Sequence, residues 1–192
     1  MKKLLVFILL NFSLLAFASD VEGLKKNDSV PTNTVETIDN NKVDLLNSKK
    51  EIILVFFRGS WCPYCMSQLK SIESEIMPKL KKNQHLIAIS VDKSEVAAKM
   101  IRKFNYTFDV ISDPKAKLLR AFKIANKIDD DLVKKYKNSY SIDIEGDSGE
   151  THHIIAHPAV FILKNGKIKY ADVHVDYKER TKNEDILKEL AK

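Results

Sequence analysis

Apolar and polar positions along this chain follow two periods, and the switches between them mark its elements. Ile52-Ile53-Leu54-Val55-Phe56-Phe57 is a continuous apolar, β-branched and aromatic run ending at Gly59, the pattern of a strand buried on both faces. From Pro63 onward, Met66, Leu69, Ile72, Ile76 and Leu80 recur at steps of three and four, which is one face of a helix. His85 to Val91 predicts a second buried strand, and Ser94 to Phe104 a second helix with Val96, Met100, Ile101 and Phe104 inward. Phe108 to Ile111 is a short third strand. Asp113-Pro114 reads as N-cap and first-turn proline of a third helix, with Leu118, Leu119 and Phe122 as its buried stripe.

Later in the chain, Val160 to Leu163 and Ile168 to Val175 flank Asn165-Gly166, a strong hairpin signal. Thr181-x-x-Glu184 has the form of a capping box, and Ile186, Leu187 and Leu190 form the apolar side of a last helix. A small hairpin is expected within Thr34 to Leu46, turning at Asp39-Asn40-Asn41. Residues 125–156 are less regular, with an acidic cluster at Asp129 to Asp131, a short helix to Tyr140 and a polar stretch ending at His152-His153. They read as a long surface insertion. Strands alternating with helices, followed by a hairpin and a closing helix, predict an α/β sandwich around a mixed β-sheet.

Residues 1–18 differ from the rest. Lys2 and Lys3 precede an apolar run from Leu4 to Leu15, and Ala16-Phe17-Ala18 fits a small-x-small cleavage site. The run is shorter than the roughly 20 residues that cross a bilayer, so a removed signal peptide is expected, delivering the protein to the periplasm with no membrane attachment afterwards. No cysteine follows the cleavage site, which excludes lipoprotein processing. Residues 19–33 then form a polar leader, and 34–192 the domain.

Composition changes this picture little. Apolar residues make up 44% of the 192 and charged residues 30%, as in soluble globular proteins. Removing Lys2 and Lys3 from the 32 basic side chains leaves 30 against 26 acidic ones, taking the net charge from +6 to +4. The lysine runs sit beside acids, as Lys134, Lys135 and Lys137 do beside Asp129 to Asp131, which is the pattern of a solvated face and not of nucleic-acid binding.

The chemistry lies in the two cysteines, Cys62 and Cys65, the only ones in the chain. Two thiols three residues apart at a helix start can be bridged within one turn. The first meets free backbone N–H groups and the positive end of the helix dipole, which stabilise a thiolate and make it nucleophilic near neutral pH. Cys62 is therefore the attacker. Cys65, one turn inside the helix, is placed to resolve a mixed disulfide. Pro63 fixes φ at the first helical position, while Trp61 and Tyr64 supply an apolar rim. A passive disulfide closing so short a loop would stabilise little. A metal site would need histidines, with His152, His153 and His157 as the candidates, and would make the protein a carrier.

Trp61-Cys62-Pro63-Tyr64-Cys65 after an apolar strand resembles the active site of the thioredoxin-like superfamily. The run Phe57 to Cys65 with Gln68-Leu69 is similar to the peroxiredoxin-like branch of the alkyl hydroperoxide reductase and thiol-specific antioxidant family, the redoxins. Ile89-Ser90-Val91-Asp92, Ile111-Ser112-Asp113-Pro114, His157-Pro158-Ala159-Val160-Phe161-Ile162 and Asp176-Tyr177 through Arg180 agree with it. The resemblance implies a thioredoxin-like fold without a cofactor, in which Cys62 is the nucleophile, Cys65 its partner and Pro158 a cis-proline facing the sulfurs. His157 would then lie beside the disulfide, able to stabilise the thiolate or move a proton, and Arg58 could add positive charge.

Two departures bear on activity. Where true peroxiredoxins carry a proline and a threonine or serine before the peroxidatic cysteine, this chain has Val55 and Gly59; where thioredoxins carry a buried acid, it has Phe56. Cys-Pro-Tyr-Cys also occurs in glutaredoxins, which are about half this length. The leading expectation is a periplasmic thiol-disulfide oxidoreductase acting on protein thiols and disulfides with a periplasmic redox partner. The alternative is a peroxiredoxin-type thiol peroxidase acting on hydroperoxides.

Overall fold

The computed structural model describes residues 21–192, so the expected signal peptide lies outside the described residues. In chain order the elements are β1 (Thr34–Glu36), β2 (Lys42–Asp44), β3 (Glu51–Phe56), α1 (Pro63–Glu75), β4 (Gln84–Ser90), α2 (Ser94–Phe104), β5 (Asp109–Ser112), α3 (Lys117–Ala121), β6 (Ala125–Lys127), α4 (Asp130–Tyr140), α5 (Ile144–Ser148), β7 (Ile154–Ala156), β8 (Ala159–Lys164), β9 (Lys167–Val173) and α6 (Asn183–Leu190). Five strands form one mixed sheet in the order β5-β4-β3-β8-β9. β3, β4 and β5 run parallel, while β8 and β9 are antiparallel to their neighbours.

β3 is apolar almost throughout because both its faces are covered. Ile53, Val55 and Phe57 pack with Leu69, Ile72 and Ile76 of the α1 side, Met100 of α2 and Ile186 of α6. Ile52, Leu54 and Phe56 face the other layer, meeting Leu119 and Phe122 near α3. The rings of Phe56, Phe122 and Phe161 lie 5.0 to 5.8 Å apart there, in tilted and edge-on contacts that favour the aromatic quadrupoles. The expected hairpin at Asn165-Gly166 forms, with φ of 51° and 71°, the two left-handed residues of a type I′ turn.

Residues 125–156 are more than a surface insertion. They carry α4, α5 and the small β6–β7 sheet, and Ile128, Val133, Ile144 and Ile155 join the second core layer. Apolar residues this widely spaced leave little periodic signal, yet they cover a sheet face that would otherwise be wet. The segment read as a leader behaves similarly over its described part. Leu24 and Val30 are buried, and their N–H groups donate to the carbonyls of Phe122 and Gly166 at 3.1 and 3.0 Å.

Two helix starts differ from the expected ones. α3 begins at Lys117, with Pro114 outside it, because the Asp113 carboxylate reaches across a turn to accept the N–H groups of Lys117, Leu118 and Leu119 at 2.8, 2.8 and 3.1 Å. α6 begins at Asn183 after Lys182, without a side-chain cap, so no capping box forms around Thr181.

Candidate active site

The register of the sheet gathers four segments at one end. Phe56 at the end of β3 pairs with Ile89 of β4 and with Ala159 at the start of β8, and Ala159 pairs with Val173 at the end of β9. The Cys62 loop, the Ser90–Asp92 turn, the Pro158 loop and the strap 174–182 therefore emerge together.

Cys62 is the N-cap of α1. Its Sγ accepts the N–H of Cys65 at 3.3 Å, and Pro63 takes the first helical position. Both cysteines are free thiols with no exposed surface. The Cys65 thiol donates to Cys62; despite the opposing effect of burial, this bond, the Cys65 N–H and the charges of Arg58 and Arg180 bring the Cys62 thiol down to about 6. Burial, and then the neighbouring Cys62, push Cys65 well above the ordinary thiol range. One sulfur is thus a thiolate at neutral pH and the other a thiol, the division of labour that attack and resolution need.

Arg180 is the residue that sequence reasoning missed. Its Nη2 lies 3.2 Å from Cys65 Sγ and 3.9 Å from Cys62 Sγ, while Nη1 donates to the carbonyls of Tyr177 and Glu179 at 2.6 and 2.5 Å. The only signal was its place at the end of the family-like Asp176 to Arg180 run. Arg58 is buried and charged. Its guanidinium sits 4.9, 5.9 and 4.6 Å from the ring centres of Trp61, Tyr136 and Tyr177, close enough for cation–π attraction, and its Nη2 donates to Tyr136 Oη at 2.7 Å. It acts on Cys62 through its field, whereas Arg180 does so by contact.

Trp61 folds back over Gly59, where a Cβ would stand 2.3 Å from its Nε1, and packs on Tyr136 of α4. Tyr64 is exposed and meets Tyr177 of the strap edge-on at 5.8 Å. Asp92 lies beneath the loop. Its Oδ2 accepts the Ser60 N–H at 2.8 Å and the Ser90 hydroxyl at 3.0 Å, and burial raises its carboxyl to about 6.

The Pro158 loop requires a correction. Among the described residues no peptide bond is cis, so Pro158 is a trans-proline. The His157 N–H donates to the Ile124 carbonyl at 2.9 Å, and the Pro158 carbonyl accepts the His174 N–H at 2.9 Å. These two bonds tie the link between β7 and β8 to Ile124 on one side and to His174 on the other. The His157 N–H and the Pro158 carbonyl are therefore not free to pair with a substrate strand. His157 makes no hydrogen bond to either sulfur. It lines a cavity of about 390 Å³ with Arg58, Tyr136 and Tyr177, and burial first, then Arg58, lowers its imidazole below the ordinary range.

The other histidines are engaged away from the sulfurs. His152 Nε2 contacts the Pro114 carbonyl at 2.7 Å, and His153 bridges Asp130 and Glu145 at 2.9 and 2.7 Å. Among the described residues no group of three His, Cys, Asp or Glu side chains is placed to hold a metal ion.

The chain is similar to the thiol-disulfide oxidoreductase ResA of Bacillus cereus, at 26% identity over 110 residues, covering 56% of this chain and 63% of that protein. It thus spans less than two thirds of that relative's length. It is 25% identical over 129 residues to the sporulation thiol-disulfide oxidoreductase A of Bacillus subtilis, covering 64% of this chain and 78% of that one. Among solved structures, peroxidoxin BcpB from Mycobacterium tuberculosis superposes with a TM-score of 0.63 at 14% identity, over 88% of this chain and 95% of that one. Reduced Prx3 from Vibrio vulnificus gives 0.65 at 13%, over 88% and 99%. The fold is thus the thioredoxin-like one, in its peroxiredoxin form. The model of the AhpC/TSA family matches residues 27–171, a span that holds the Cys-Pro-Tyr-Cys helix start and the sheet up to Ala171 in β9, and the chain belongs to that family.

Proposed function

We propose that this protein is a thiol-disulfide oxidoreductase working in the periplasm, with protein thiols and disulfides as substrates. The observation that carries the reading is the splitting of the two thiols, Cys62 brought down to about 6 and Cys65 raised. The address rests on the pattern of residues 1–18.

In the reducing direction the Cys62 thiolate attacks one sulfur of a substrate disulfide. A Cys62–substrate disulfide forms, and the other substrate sulfur leaves as a thiolate that takes a proton from water. Consuming Cys62 removes the negative charge that had raised Cys65. Arg180 Nη2, 3.2 Å from Cys65 Sγ, then faces a single developing thiolate and favours it. Cys65 loses its proton to solvent and attacks Cys62 Sγ. The second substrate sulfur leaves, and the Cys62–Cys65 disulfide holds the two electrons' worth of oxidation. The oxidising direction is the same path reversed.

The experiment is to trap the intermediate. Cys65→Ser incubated with a disulfide-bonded protein should accumulate a mixed disulfide through Cys62, and Cys62→Ser should not. Accumulation through neither variant refutes the reading. The same protein treated with hydrogen peroxide tests the alternative. With Gly59 lacking a hydroxyl where peroxiredoxins hold peroxide, Cys62 is expected to oxidise no faster than a free thiol of equal pKa.

A further inference from the structure

Neither sulfur has exposed surface, so any disulfide must first move what covers them. The cover is the strap 174–182, through Arg180. Between this strap and α1 runs a groove of about 630 Å³, with Tyr64, Ser67 and Gln68 on one wall and Lys178, Arg180 and Thr181 on the other. Three buried polar atoms of the groove residues have no hydrogen-bond partner: Gln68 Oε1, Arg180 Nε and Thr181 Oγ1. Gln68 and Thr181 are 9% and 4% exposed. Leaving such groups unpaired is unfavourable, and three of them among the residues of one groove destabilise the closed position of the strap.

Resting on the thiol-disulfide reading above, we propose that this groove receives the extended main chain of a disulfide-bearing peptide, admitted as the strap lifts from α1. The chemistry of the three atoms selects that class. An N–H donor, an amide acceptor and a hydroxyl that does both match the alternating N–H and C=O of a peptide, whereas a phosphate or carboxylate offers acceptors only. Charge agrees, because Lys178, Arg180 and Lys182 on the rim are set against Glu75 and Glu184. The opposite side of the sulfurs is unsuited, since the His157 N–H and Pro158 carbonyl already have partners. Lifting the strap exposes the sulfurs and the three unpaired atoms together, so one movement opens the reaction site and completes the binding site.

The test uses Gln68→Leu and Thr181→Val, which remove the polar atoms at nearly constant volume. For each, kcat/KM is measured with a short peptide carrying its cysteine as a mixed disulfide and with bis(2-hydroxyethyl) disulfide, which has no peptide group. The ratio of peptide to small-disulfide kcat/KM is expected to fall roughly tenfold, as the loss of about one hydrogen bond would cause. The melting temperature is expected to stay level or rise. A merely structural role predicts the reverse, a lower melting temperature with an unchanged ratio, and that result overturns the proposal. Titration of the wild type and of Gln68→Leu with the reduced peptide, read by isothermal calorimetry, isolates the groove. Failure to bind overturns the groove, whereas binding without exchange on either disulfide overturns only the thiol-disulfide reading.

Discussion

Replacing Arg180 with alanine tests the electrostatic argument most directly. Cys62 sits about three units below the reference thiol value of 9.0, roughly 4 kcal/mol in favour of the thiolate at about 1.4 kcal/mol per unit. Arg180 shares that effect with the Cys65 thiol, the Cys65 N–H and Arg58, each of which contributes more. A guanidinium 3.9 Å from Cys62 Sγ in a protected site moves a pKa by about one unit as one of several contributors. Arg180→Ala is therefore expected to titrate near pH 7. At pH 7 the thiolate fraction falls only from about nine tenths to about half, but at pH 5.5 it falls roughly eightfold, from about a quarter to a few per cent. The assay is the alkylation rate of Cys62 against pH, the raised Cys65 thiol staying unreactive over this range, paired with the ultraviolet absorbance of the thiolate. Arg180→Lys should recover part of the shift, since it keeps the charge but not the planar fork. A midpoint unmoved in Arg180→Ala, with the fold intact by circular dichroism, refutes the reasoning.

Three further outcomes follow. Asp92 is raised from 3.8 to about 6, so the native state prefers it protonated; the preference is fully expressed below about pH 4 and lost as pH rises through 6. Asp92→Asn should then raise stability at pH 7 by about 1–3 kcal/mol and flatten the stability profile between pH 4 and 6 in denaturant melts; equal pH slopes in the two proteins would contradict this. Gly59→Ala places a Cβ against Trp61 Nε1 and should cost about 1–3 kcal/mol, with a shifted emission from the only tryptophan; an unchanged spectrum would show that the ring does not lie over Gly59. His157→Ala should leave the Cys62 midpoint in place, because the buried imidazole is neutral near pH 7 and touches neither sulfur; a shift approaching one unit in the alkylation profile would restore it to the site.

Much of the local structure was legible in the sequence because its causes are local. The β3 run, the α1 stripe and Pro63 after Cys62 place the thiols at a helix start within about fifteen residues, and the bond from the Cys65 N–H to Cys62 Sγ is the one such a start makes available. Asn165-Gly166 is equally self-contained. Asp113 and Thr181 show where local patterns mislead. Both precede helices, but Asp113 caps from across a turn, and Thr181 is drawn into the closed strap and left unpaired. The residues 125–156 had too sparse an apolar pattern to be read as a core layer.

The placing of the two thiols at a helix start, the strand-turn-helix that holds them and the mixed α/β class are thus properties of the sequence itself, fixed by spacing, capping and period. The tertiary structure alone decides what surrounds the pair. Arg180 meets the sulfurs from 118 and 115 residues away because β8 starts and β9 ends at the end of the sheet where β3 hands over to α1. The same register sets Asp92 under the Cys62 loop and leaves Pro158 trans with its carbonyl occupied. Long-range contacts of this kind depend on strand order and register, and no window along the chain contains them.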